Sequence, residues 1–99
     1  MESAKIIARL KALEPGLRGQ GVTALYLYGS HARGDARPDS DVDILVEFDP
    51  DFPRDLVSYL RPYFSIEEEL PGIEIGYGTR ENIENAYRPT IENAAIRIF

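Results

Sequence analysis

Cysteine is absent from this 99-residue chain, so it holds neither a disulfide nor a thiolate metal site. Histidine occurs once, at His31, which excludes a multi-histidine zinc site within one chain. No apolar run approaches the length of a membrane span, and no leader of the secretory type opens the sequence. A cytoplasmic location without membrane attachment is therefore expected. Basic residues are scarce, with 11 Lys and Arg against 17 Asp and Glu and a formal net charge of −6. The imbalance is uneven: residues 1–40 hold six basic and four acidic residues, whereas 41–99 hold five and thirteen. Such a domain neutralises few phosphates, so direct nucleic-acid binding is not expected. The charge itself reads as solubility, with a basic protein partner or a cationic metal as its functional complement.

What is present is ordinary for a globular domain: 43 % hydrophobic and 28 % charged residues, enough for one domain over 1–99 with a modest core. Ile6, Ile7, Leu10 and Leu13 recur at helical spacing and predict a helix over 3–14, ended by Pro15-Gly16. Val22 to Tyr28 reads as a strand, stopped by Gly29. A short helix or loop follows from Ser30 to about Ala36, then a turn at Pro38-Asp39-Ser40. Val42, Ile44, Val46 and Phe48 alternate with Asp41, Asp43 and Glu47, the period of two of a second strand. Leu56, Val57, Leu60 and Phe64 suggest a helix that Pro62 should kink or split. Ile73-Glu74-Ile75 reads as a short third strand. Thr79 reads as the N-cap of a helix through about Tyr87, and Ile91, Ala94, Ala95 and Ile98 suggest a last helix. The fold class is α/β, a small mixed sheet of about three strands flanked by helices.

Chemistry concentrates between Tyr28 and Val46. Asp41 and Asp43 are two apart on a strand, so both carboxylates leave one face while Val42, Ile44 and Val46 anchor the other. Adjacent carboxylates repel unless a cation lies between them, and an all-oxygen pair suits Mg²⁺ or Mn²⁺ together with substrate phosphates. Gly29 allows close backbone approach, and Ser30 opens a short helix whose N-terminus favours phosphate. Arg33, one turn on, is placed to contact phosphate or to pair with a nearby acid. His31 reads as a surface residue, and Tyr26 and Tyr28 share one strand face in a packing role.

Gly29-Ser30-x-Ala32-Arg33-Gly34 followed by Ser40-Asp41-x-Asp43 resembles the signature of the DNA polymerase β-like nucleotidyltransferase superfamily. More narrowly, it resembles the minimal nucleotidyltransferases that pair with HEPN-domain proteins. The resemblance implies a third carboxylate on the next strand, and Glu74 is the match, with Glu in place of the usual Asp. It implies that Asp41, Asp43 and Glu74 are catalytic and bind Mg²⁺. It also implies that Gly29, Ser30, Arg33 and Ser40 bind the nucleotide, ATP. The activity implied is AMP transfer to a hydroxyl, a tyrosine of a HEPN ribonuclease toxin, by an antitoxin that forms a hetero-oligomer with it. Two other functions fit the same motifs: neutralisation of the partner by binding alone, and nucleotidyl transfer to a small hydroxylated compound.

Two neighbouring motifs fail on inspection. Asp39-x-Asp41-x-Asp43 has the spacing of a calcium loop, but Ile44 stands where glycine is needed and Pro50 where the closing Glu belongs. Gly29 to Gly34 has Walker spacing, but Asp35 replaces the lysine. The Glu67-Glu68-Glu69 run reads as a solvated helix face.

Overall fold

The computed structural model describes residues 2–37, 39–53, 55–79 and 95–99. Within them the order is α1 (Ser3–Ala12), α2 (Glu14–Gly19), β1 (Val22–Tyr28), α3 (Ser30–Arg33), β2 (Val42–Phe48), α4 (Leu56–Glu69), β3 (Ile75–Thr79) and β4 (Ile96–Arg97). The strands form one mixed sheet in the order β3-β2-β1-β4. The β1 and β2 strands are antiparallel, with Leu27 opposite Ile44 and Leu25 opposite Val46. The β3 strand runs parallel to β2, reached across α4, with Ile75 opposite Val42 and Tyr77 opposite Ile44.

Period-two alternation decides the two faces of this sheet. Leu25, Leu27, Val42, Ile44, Val46 and Phe48 turn to the helices and join Ile6, Leu10, Leu17, Ile66 and Leu70 in one core. Asp43, Leu45 and Glu47 turn to the opposite face, with Tyr26 and Tyr28 beside them on β1 and Gly76 and Gly78 on β3. A slip of β2 by one residue would place its carboxylates in the core, so this register is strongly specified.

The two central strands lie where the sequence places them, and four other expectations are corrected. Pro15-Gly16 does not end the helical path. Pro15 occupies the first turn of α2, where its missing N–H is no loss. Helix α4 runs through Pro62 without a break, started by Asp55, whose carboxylate accepts a hydrogen bond of 2.8 Å from the Ser58 N–H. Its inward face is Tyr59, Pro62, Ile66 and, just past its end, Leu70, while Leu56, Val57 and Phe64 are exposed. The third strand starts at Ile75 rather than Ile73. Thr79 is its buried last residue, not a cap; the helix expected after it lies outside the described residues. Finally, the chain end is not helical. Ile96, Arg97 and Ile98 alternate as a strand along the free edge of β1, where the Ile98 N–H donates to the Leu25 carbonyl at 2.8 Å. No described helix is long and apolar enough to cross a membrane.

The corrected face of α4 predicts a contrast. Truncating fully buried Ile66 to Ala should cost about 2–5 kcal/mol in urea unfolding, from lost burial and a residual cavity. Leu56→Ala, at a residue 71 % exposed, should stay within about 0.5 kcal/mol of the parent.

Candidate active site

Four segments meet at the end of the sheet where β1 stops and β2 begins. Asp41 immediately precedes β2 and is exposed; Asp43 is the second residue of the strand and half-buried. Buried Val42 and Ile44 alternate with them on the helix side, so both carboxylates leave the other face. The loop ahead of Asp41 is closed by a reciprocal pair of hydrogen bonds. The Arg37 N–H donates to Ser40 Oγ at 2.8 Å, and the Ser40 N–H donates to the Arg37 carbonyl at 3.0 Å.

The Asp43 carboxylate lies between two glycines on flanking segments. Gly29 leaves β1 with φ 78° and ψ −154°, a backbone region essentially restricted to glycine. A Cβ at Gly29 would strike Asp43 Oδ2, and one at Gly76, the register partner of Asp43 in β3, would meet Oδ1 at 2.6 Å. With Asp41 beside it, Asp43 is electrostatically uncomfortable. Burial first, then the Asp41 charge, raises its carboxyl above the ordinary carboxylate range, while His31 and Arg33 act in the opposite sense. Tyr28, opposite Asp43 on β1, is likewise pushed up by burial and by the Asp43 charge.

Gly29 is also the N-cap of α3. The first-turn N–H groups of such a turn, at Ser30 and His31, have no intrahelical carbonyl to bond. Gly29, Ser30, Arg33, Ser40, Asp41 and Asp43, all singled out in the sequence, line one cleft of about 450 Å³, and Asp39 joins them. Arg33 faces this cleft and also pairs with Asp35 at 3.4 Å, both side chains more than half exposed, an arrangement worth little to stability. The cleft thus combines close backbone approach, the start of a short helix and two carboxylates that a divalent cation would relieve. That donor set fits Mg²⁺, which binds through one or two carboxylates and completes its shell with phosphate and water.

Residues 4–98 match the nucleotidyltransferase domain family model. The chain belongs to that family. A Methanocaldococcus jannaschii protein, named as a candidate protein adenylyltransferase, is 34 % identical over 84 residues, covering 78 % of this chain and 77 % of its own length. The protein adenylyltransferase MntA of Thermococcus cleftensis is 31 % identical, covering 72 % and 69 %. Among solved structures, a candidate minimal nucleotidyltransferase superposes with a TM-score of 0.79 at 28 % identity, over 97 % of this chain and 95 % of that one. A toxin–antitoxin structure with AMP-PNP shares the fold, with a TM-score of 0.68 at 16 % identity over 92 % and 72 % of the two chains.

In this nucleotidyltransferase Glu74 stands apart from the other expected site residues. It is exposed, precedes β3, and contributes its carbonyl to the sheet by accepting from the Val42 N–H at 2.9 Å. It does not line the cleft, and the charges that bear on Asp43 come from Asp41, His31 and Arg33. Among the described residues, no group of three or more His, Asp or Glu side chains is placed to hold a metal ion.

Two residues near the site escaped the sequence reading. His31 is not on the surface: it is 3 % exposed, and its Nδ1 is hydrogen-bonded to Ser3 Oγ at 2.8 Å, pinning α1 to α3. Nothing in the motif reveals that contact, because Ser3 lies 28 residues away. Asp39 was visible in the Asp-x-Asp-x-Asp spacing, but its place in the cleft depends on the Arg37–Ser40 loop.

The raised Asp43 carboxyl has a consequence for folding. The folded protein holds this proton more tightly than the unfolded chain does. Stability therefore falls as pH rises from the ordinary Asp range through the elevated folded value, and ionised Asp43 opposes folding above it. Asp43→Asn should raise the melting temperature in metal-free buffer at neutral pH, and the gain should vanish below about pH 4, where both states carry the proton. A thermal melt series across pH reads this directly.

Proposed function

We propose that this nucleotidyltransferase, as a single minimal domain, is the antitoxin of a toxin pair and transfers AMP from ATP to a tyrosine hydroxyl of a HEPN-domain ribonuclease. The observation that carries this reading is the convergence of Gly29-Ser30 with Asp41 and Asp43 on one cleft. The MntA relative, named as a protein adenylyltransferase, supports AMP as the transferred group, and a toxin–antitoxin structure of the same fold supports a toxin partner.

In this mechanism Gly29 and the first-turn N–H groups of α3 hold the β- and γ-phosphates, with the Ser30 hydroxyl beside them. Arg33 adds positive charge at the cleft wall, and Ser40 holds the loop that presents Asp41. Asp41 and Asp43 hold Mg²⁺, which when bound supplies charge neutralisation for the triphosphate. The tyrosine oxygen attacks the α-phosphorus in line. The bond from that phosphorus to the bridging oxygen breaks, pyrophosphate leaves, and the phenolic proton passes to solvent. A new phosphodiester links AMP to the tyrosine. Positioning and fixed charge, rather than covalent catalysis by the protein, provide the rate.

The test is intact-mass analysis of the partner after incubation with this chain, ATP and Mg²⁺. An added AMP is expected. Asp41→Ala and Asp43→Ala should each slow its appearance by at least about a hundredfold, since loss of a metal ligand exceeds the 10–100-fold effect of second-layer partners. An unmodified partner that is still bound and inhibited would instead establish neutralisation by contact. Absence of both modification and binding would point to a small hydroxylated acceptor.

A further inference from the structure

Helix α4 is apolar on both sides. Tyr59, Pro62 and Ile66 face the core, yet among the described residues the large hydrophobic side chains left exposed also lie on this helix: Leu56, Val57 and Phe64, at 71, 64 and 55 %. Leu56, half-buried Leu60 and Phe64 follow at i, i+4 spacing with Val57 alongside, so they form one outward stripe. Single exposed apolar residues are ordinary, but a contiguous stripe marks an interaction surface. Its aromatic member is held in place. The Phe64 ring meets the Tyr63 ring edge-on with centroids 5.4 Å apart, Tyr63 meets Tyr77 at 5.7 Å, and the Tyr63 hydroxyl donates to Glu67 Oε2 at 2.6 Å. A ring already ordered loses little entropy when a partner covers it. Both ends of the stripe are acidic: Asp51 and Asp55 lead into it, and exposed Glu67 and Glu68 follow Phe64, with Arg61 the one basic residue of the helix. A second copy of this chain, with its net charge of −6, would set acid against acid whichever way the two helices ran.

We propose that the stripe of Leu56, Val57, Leu60 and Phe64 docks a helix of the toxin partner that is apolar along one side and flanked by Lys or Arg. The inference rests on the reading of this chain as an antitoxin with a protein partner. Phe64 is the central anchor, and Glu67 and Glu68 meet the partner's cations at the rim. Docking and chemistry then use different surfaces. Helix α4 covers the core side of the sheet, where the Tyr77 hydroxyl donates to the Tyr59 carbonyl at 2.7 Å, whereas Asp41 and Asp43 leave the other side. The helix runs back from the end of β2 to the start of β3, so its Glu67–Glu68 end points to the end of the sheet where Asp41 lies. A partner seated on α4 sits beside the cleft, not over it, and its acceptor reaches Asp41 around that end.

Calorimetric titration of the toxin partner into the full chain, without nucleotide, tests this. Phe64→Ala should weaken binding by at least about tenfold, as truncation of a central aromatic anchor does. Leu56→Glu, a charge on the most exposed part of the stripe, should weaken it by a similar factor and leave the chain's own melting temperature within about 2 °C of the parent. Glu68→Lys should cost about threefold or more and flatten the fall in affinity between about 0.05 and 0.5 M salt. Lys11→Ala, exposed on α1, should stay within about twofold of the parent. Phe64→Ala and Leu56→Glu chains that bind as tightly as the parent would overturn the proposal. So would a large drop in melting temperature in Leu56→Glu, which would mean that the chain itself covers the stripe, or a parent homodimer that Phe64→Ala dissolves in sedimentation. Should Phe64→Ala not fold, Leu56→Glu decides alone. Intact mass of the partner separates this from the underlying reading. AMP transfer with binding indifferent to both variants removes the docking site alone, whereas a parent that neither binds nor modifies the partner removes both.

Discussion

Everything at the site depends on one strand being unable to rotate or slip. Val42, Ile44, Val46 and Phe48 are buried against the helices, and β2 is paired on both edges, antiparallel to β1 and parallel to β3. With four apolar side chains committed to one face, Asp41 and Asp43 have no choice of direction. A shift of one residue would exchange them for the core residues and bury two charges without partners, at a cost of several kcal/mol each. The hydrophobic core is thus what keeps two mutually repelling carboxylates side by side. The polar chemistry is held in place by apolar packing several ångströms away.

The flanking segments are fitted to that strand by backbone geometry more than by side-chain bonds. Gly29 turns the chain out of β1 in a conformation other residues avoid, and in doing so leaves room for the Asp43 carboxylate. The reciprocal Arg37–Ser40 hydrogen bonds shape the approach to Asp41. The Ser3–His31 hydrogen bond ties α3 to a helix that is otherwise remote from the site. Each of these fixes one segment, and together they bring residues from β1, α3, the following loop and β2 to a single cleft.

How much of this was legible beforehand follows from the range of the interactions involved. Strands β1 and β2 were readable because composition and alternation are local signals, and the cleft residues were readable because Gly29-Ser30 and Asp41-x-Asp43 lie on and beside those strands. The errors cluster where tertiary context overrides a local signal. Pro62 looked like a break, yet it is buried in α4 as part of the inward face. Ile96 to Ile98 looked helical beside Ile91, Ala94 and Ala95, but the free edge of β1 offers hydrogen bonds that a strand can accept. The third strand looked as if it began at Ile73; only its pairing with β2, a long-range fact, shows that it begins two residues later, at Ile75, and that Gly76 is the neighbour of Asp43.

The arrangement also sets stability against function in a definite direction. Half-burying Asp43 next to Asp41 raises its carboxyl and works against folding at neutral pH. A structure selected for stability alone would place a neutral residue there. The pair is tolerated because the core beneath it is closed: Val42, Ile44, Ile66 and Leu70 are fully buried. On the proposed reading, a divalent cation bound to the pair removes the repulsion and compensates the burial in one event. Ligand binding and folding are then linked, because any species that binds only the folded form stabilises it. A pair of acids with no ligand would gain nothing from being half-buried. The unfavourable placement of this one carboxylate is thus a stronger argument for a cationic ligand than the acidity of the chain as a whole.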